Sequence, residues 1–256
     1  MNIVSKMALV AMALIASTPA YADDALRILK AMSDYVAAQK NISASYNSDV
    51  DVVTSSLQKI TFASSGKLVI SRPDKIYVTR TGGFADVVMN FDGKTFTILG
   101  KNLNAYTQID SPGTIDNLVD RIRDNTTAEF PGADIFSANA YGELTEGLLD
   151  SRHIGRGVVN GVPCDLLAFR TPDVDWQIWV QVGDKPIPRK YVITSKTVAQ
   201  APEYTIMITD WRTDAPADAN QFVFNPPKGA TKVAIEQMQQ TDEAPPGVLP
   251  DETKKK

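Results

Sequence analysis

The chain has 256 residues, a formal net charge of −4, 43% hydrophobic residues, one cysteine and one histidine. The acidic balance argues against nucleic acid as a partner, because phosphate contacts need clustered Lys and Arg. A lone Cys164 excludes an internal disulfide, and a lone His153 removes His-rich zinc sites and triads that depend on a second oriented group.

The N-terminus reads as an export signal. Lys6 gives a short basic n-region, and Met7 to Ala16 forms an uncharged apolar run of h-region length. Pro19 follows, and Ala20-Tyr21-Ala22 fits the small-x-small cleavage rule. The run is too short to span a bilayer, which takes about 20 apolar residues. No Cys stands at the cut, and no second apolar run reaches spanning length. The expected location is therefore the periplasm, as a soluble chain starting near Asp23, with no transmembrane segment.

Asp23 to Lys40 is expected to be a helix. Ala25, Ile28, Leu29, Met32 and Val36 recur at helical spacing, and Asp23 or Asp24 can cap the first turn. From Ser43 to Asp110 the period changes to two. Apolar pairs alternate with polar neighbours: Ile60 and Phe62, Leu68 and Ile70, Ile76 and Val78, then Val87, Met89 and Phe91, then Phe96 and Ile98. Ser64-Ser65-Gly66, Arg72-Pro73-Asp74, Thr81-Gly82-Gly83 and Asp92-Gly93 punctuate these runs. Asp-Gly is a strong hairpin signal, because Gly accepts the positive φ that a tight turn demands.

The middle is expected to be helical. Ile115, Leu118, Val119 and Ile122 form one stripe with Thr114 as its cap, and Pro131-Gly132 breaks the chain. Ala140, Leu144 and Leu148 mark a second, weaker helix. Strands resume at Gly157–Val159, Leu166–Arg170, Val174–Val182, Pro188–Thr194 and Tyr204–Trp211, and Phe222-Val223-Phe224 is the last element. Residues 239–256, rich in Pro, Asp, Glu and Lys, read as a disordered polar tail. The domain plan is thus a signal peptide over 1–22, one domain over 23–238, and the tail.

Motifs for catalysis are missing. Gly93-Lys94-Thr95 resembles the end of a phosphate loop, but the required earlier glycine is Val88. Ser64-x-x-Lys67 lacks the partner motifs of penicillin-binding enzymes. The pairs Asp49/Asp51 and Asp173/Asp175 read as solvated strand-end carboxylates, His153 as a surface or loop residue, and Cys164 as a buried, inert thiol. No enzyme activity, cofactor or metal is expected.

Gly66-x-Leu68-x-Ile70-x-Arg72-Pro73-Asp74, Asp92-Gly93-Lys94-Thr95-Phe96 and Phe222-x-Phe224-x-Pro226-Pro227-x-Gly229 give the chain its resemblance to a family. In order and spacing it resembles the periplasmic lipoprotein-carrier (LolA-like) superfamily. The segments Gly161-Val162-Pro163-Cys164-Asp165 and Val174 to Trp179 look more like a branch of predicted periplasmic proteins of unknown function.

The resemblance implies an α+β fold: a half-open antiparallel β-barrel, with an N-terminal helix and a helical lid (about 112–150) over an apolar cavity that accepts acyl chains. The expected cavity residues are Phe62, Leu68, Ile70, Val78, Met89, Phe91, Phe96 and Ile98 in the sheet, Ile115, Leu118 and Ile122 in the lid, and Trp176 and Ile178 in the second strand set. The same residues could instead fill one another's space as a dry core. Arg72 matches the family arginine that fastens the lid, and a solvated rim charge is the plainer alternative for it.

Two functions follow. One is a carrier or binder of a lipid or lipoprotein acyl chain. The other is an envelope sensor that binds a partner, such as an inner- or outer-membrane protein, with the same fold.

Overall fold

A computed structural model describes residues 20–125, 132–213, 218–235, 237, 238, 245 and 248. The expected signal-peptide core, Pro131 and all but two residues of the expected tail lie outside them.

Helix α1 spans Ala20–Ala38. It starts ahead of Asp23 and Asp24, so neither acts as its N-cap. Ala25, Leu29, Met32 and Val36 are fully buried and form the apolar stripe that the spacing predicts.

The alternating runs then form β1 (Asn41–Val53), β2 (Lys59–Ser71), β3 (Lys75–Gly82), β4 (Asp86–Phe91), β5 (Thr95–Gly100) and β6 (Ala105–Asp110). The crossover contains α2 (Ile115–Asn125), a 3-10 turn (Ala133–Phe136) and α3 (Ala140–Thr145). A second set follows: β7 (Asp150–Val159), β8 (Val162–Arg170), β9 (Val174–Gln181), β10 (Pro188–Ser195) and β11 (Glu203–Arg212).

Each set is an antiparallel meander in chain order, because short turns favour pairing of sequential strands. The two meanders join in the middle, where β1 pairs β11 with Tyr46 opposite Ile208 and Ser48 opposite Ile206. With β12 (Thr231–Lys232) added parallel to β6, the result is one curled, open sheet of twelve strands. Since β6 and β7 lie far apart in this order, the crossover between them runs over one face of the sheet. That face carries Ala44, Leu68, Ile70, Val78 and Met89.

Three expectations are corrected. Ser64-Ser65-Gly66 is the interior of β2, not a turn, because Gly66 leaves the space in which the Tyr46 ring lies. The second middle helix stops at Thr145, since Gly147 adopts φ 64° and Leu148 falls beyond it. Phe222-Val223-Phe224 is not a strand. Ala219–Phe222 forms a 3-10 turn that buries Phe222, and Phe224 packs on Tyr106 at 5.0 Å. This segment lies on the convex side, where Asn90 Nδ2 donates to the Gln221 carbonyl at 2.8 Å.

Among the described residues β7 has one strand neighbour, β8. Its ladder slips between His153 and Gly155, and Gly155 has φ 136°.

Candidate functional site

Helices cover the two halves of the concave face differently. α1 lies over β7, β8 and β9. There Trp176 stacks on Phe169 at 4.0 Å and meets Tyr191 edge-on at 5.7 Å, while Ile178 and Leu167 are fully buried. Side chains fill this half. The other half, floored by β1 to β5 and β11 and roofed by α2 and the 3-10 turn, encloses an apolar cavity of about 220 Å³.

Eight of the residues expected at a cavity line it: Leu68, Ile70, Val78, Met89 and Phe96 from the sheet, and Ile115, Leu118 and Ile122 from α2. α2 presents that stripe because Thr114 caps it. Asn117 N–H donates to Thr114 Oγ1 at 3.3 Å, and Thr114 N–H donates back to Asn117 Oδ1 at 3.0 Å.

The other five expected residues do not line the cavity. Phe62 has the right strand parity but sits too far along β2, edge-on to Phe84 at 5.6 Å. Phe91 is fully buried and Ile98 partly buried within the core. Trp176 and Ile178 belong to the filled half under α1. Their face was legible from parity, but their place along the sheet depends on strand order.

Ala44, Tyr46, Ile76, Arg80, Tyr204, Ile206 and Ile208 also line the cavity. The β11 members escape sequence reading because β1–β11 pairing is non-local. Ile76 and Val78 share their parity with Arg80, so a period-two count does extend to it.

The 3-10 turn is held from two strands. Arg72, just past β2, donates from Nη2 to the Phe136 carbonyl at 2.7 Å. Burial pushes the Arg72 guanidinium below its ordinary value, opposed by Asp116. From β10, the Tyr191 hydroxyl donates to Asp134 Oδ2 at 3.2 Å, and Ile135 N–H donates to Asp134 Oδ1 at 3.0 Å. Burial is the main cause that raises Asp134 to about 6, and nearby Glu143 adds to it. Tyr191 is raised well above its ordinary value by burial and by Asp134.

The remaining candidates lie away from the cavity lining. His153 lies on β7 rather than in a loop. It is half-buried, with Nε2 3.1 Å from Asp165 Oδ1 on the neighbouring strand β8. Cys164 is fully buried, and burial pushes its thiol up. Asp51 pairs with Lys59 at 3.0 Å, and Asp175 with Arg170 at 2.7 Å. Among the described residues no three His, Cys, Asp or Glu side chains gather as metal ligands, and no helix is long and apolar enough to cross a membrane.

Solved structures similar to this chain share low identity with it. One is an uncharacterized conserved protein from Thermus thermophilus (10% identity, 82% of this chain and 98% of that chain, TM-score 0.48). LprF from Mycobacterium bovis matches at 11% identity over 80% of this chain and 98% of that chain, with TM-score 0.49. Lipoprotein LppX from Mycobacterium tuberculosis matches at 10% identity over 77% and 98%, with TM-score 0.40. No curated protein matches significantly. The family described as "Predicted periplasmic protein (DUF2092)" matches residues 25–236, nearly the whole described chain. This is the branch of predicted periplasmic proteins that the sequence motifs resemble. The chain belongs to the DUF2092 family of predicted periplasmic proteins.

Proposed function

We propose that the protein binds an apolar ligand, a lipid or lipoprotein acyl chain, in the periplasm without acting on it chemically. The observation that carries this reading is the apolar cavity of about 220 Å³ between the sheet and α2. Each buried CH₂ contributes about 0.8 kcal/mol, so part of one acyl chain suffices for useful binding.

In this reading α2, the 3-10 turn and α3 are a lid over residues 112–150, and Arg72 is its latch. A hydrogen bond from a charged group is worth roughly 1.5–3 kcal/mol, so its loss shifts the open–closed balance about tenfold or more. The test is titration of the delipidated protein with a polarity-sensitive dye. Wild type is expected to bind near micromolar or tighter. Arg72→Leu is expected to keep the fold and to release the dye about tenfold faster. No dye binding to wild type at any concentration would overturn the binding reading. Unchanged release from Arg72→Leu would remove the latch and leave the cavity.

A further inference from the structure

Among the described residues the cavity has one charged lining residue, Arg80, beside side chains that are otherwise apolar apart from the hydroxyls of Tyr46 and Tyr204. Its position is fixed by the ladder. Tyr46 pairs with Gly66, and Gly66 pairs with Arg80, so the three form one row across β1, β2 and β3. Because Gly66 has no side chain, the Tyr46 ring lies over it and its hydroxyl donates to the Thr79 carbonyl at 2.9 Å. Arg80 therefore stands beside this ring, at one end of the apolar floor. Arg72 stands at the other end, six residues away along β2 from Gly66 and engaged with the 3-10 turn. The floor between them is Leu68, Ile70, Ile76 and Val78.

Arg80 is half-buried, and its Nε is shielded from water. Its planar fork has five N–H donors, so it can hold a carboxylate or phosphate in two parallel bonds alongside an acceptor from the protein. The whole chain carries −4, so its overall field does not draw anions to it. Any preference for an anion must come from a local group.

We infer that the ligand is a single-chain anionic amphiphile, with its acyl chain on the Leu68–Val78 floor and its carboxylate or phosphate headgroup on Arg80. This rests on the apolar-ligand reading above. A single chain fits because about 220 Å³ falls below the range of roughly 300–1,000 Å³ typical of small-molecule pockets.

The test is calorimetric titration of the delipidated full chain at pH 8 with laurate, dodecyl phosphate and 1-dodecanol, which share one chain length and differ in headgroup. Wild type is expected to bind at least one anion roughly tenfold or more tightly than the alcohol. Laurate against dodecyl phosphate then tells which headgroup chemistry is preferred. Arg80→Gln is expected to bring anion and alcohol to equal affinity, and Arg80→Lys to keep most of the preference. Equal binding of anion and alcohol by wild type would overturn the headgroup inference while leaving the apolar cavity in place, as would a preference that survives Arg80→Gln. Failure of all three to bind would overturn both readings. If Arg80→Gln does not fold, the wild-type headgroup ratio and Arg80→Lys still decide.

Discussion

Gly66 shows how much one absent side chain arranges. A Cβ there would lie 1.9 Å from the Thr79 carbonyl oxygen and 2.6 Å from the Cζ and hydroxyl of Tyr46. Thr79 belongs to the neighbouring strand, so its oxygen cannot move without opening the β2–β3 ladder. Gly66→Ala is expected to destabilise the protein by ~2–3 kcal/mol, the upper part of the range for overpacking. Urea unfolding of both proteins checks this, and a change under 0.5 kcal/mol would refute the packing argument. The sequence motif includes Gly66 but not its reason. In a one-dimensional reading Ser64-Ser65-Gly66 resembles a turn, because the ring that needs the space lies twenty residues earlier. Arg72 and Cys164 were more legible. Strand parity alone puts Arg72 at the inner face, and a lone cysteine entering an apolar strand is most simply a small core residue.

The 3-10 turn is the element through which pH acts. Asp134 titrates near 6, above its ordinary 3.8, because burial disfavours its charged form and Glu143 on α3 adds to that, while the Tyr191 hydroxyl, which donates to it, opposes the rise. The folded value is raised, so the stabilisation is fully present below about 4 and is lost as pH rises through 6. The shift corresponds to about 3 kcal/mol as an upper value. Amide exchange across residues 133–138, corrected for intrinsic rate, is expected to be slower at pH 5 than at pH 7.5. Asp134→Asn should remove that difference, and equal protection in wild type at both pH values would count against it. Among the elements, long periodic ones were legible: the α1 stripe, the Thr114-capped α2 and the Asp92-Gly93 hairpin. Ala133–Phe136 was not, because four residues carry no period and the turn is fixed by Arg72 and Tyr191, each some sixty residues away in the chain.

The whole molecule divides its concave face between a filled half and a hollow half. Ile178 lies under α1 and is fully buried, whereas Leu118 faces the cavity from α2. Ile178→Ala is expected to cost about 2–5 kcal/mol of stability and to leave dye affinity within twofold. Leu118→Ala is expected to cost less stability, because the cavity already leaves one side of it unpacked, and to change dye affinity severalfold. Denaturant titration and dye binding on both variants measure the contrast, and equal effects on both readouts would show one continuous core. The kind of the long elements could be read from the sequence, since each depends on local period, although β2 reads there as two runs split at Ser64-Ser65-Gly66. Which half is hollow could not, because it depends on the pairing of Ser45 with Thr209 and on which helix covers which strands.

An open sheet leaves a last strand, and β7 is one such end. Its outer row of amides and carbonyls is a template on which another extended segment could align. Ile154 and Val158 are exposed along it at 56% and 69%, which makes alignment more rewarding still. The slip at Gly155 interrupts that template halfway, because a bulge bends the strand and puts the donors out of step with any straight partner. That irregularity shortens the run a second copy could pair with to about four residues on either side, fewer than the five or six of an average strand.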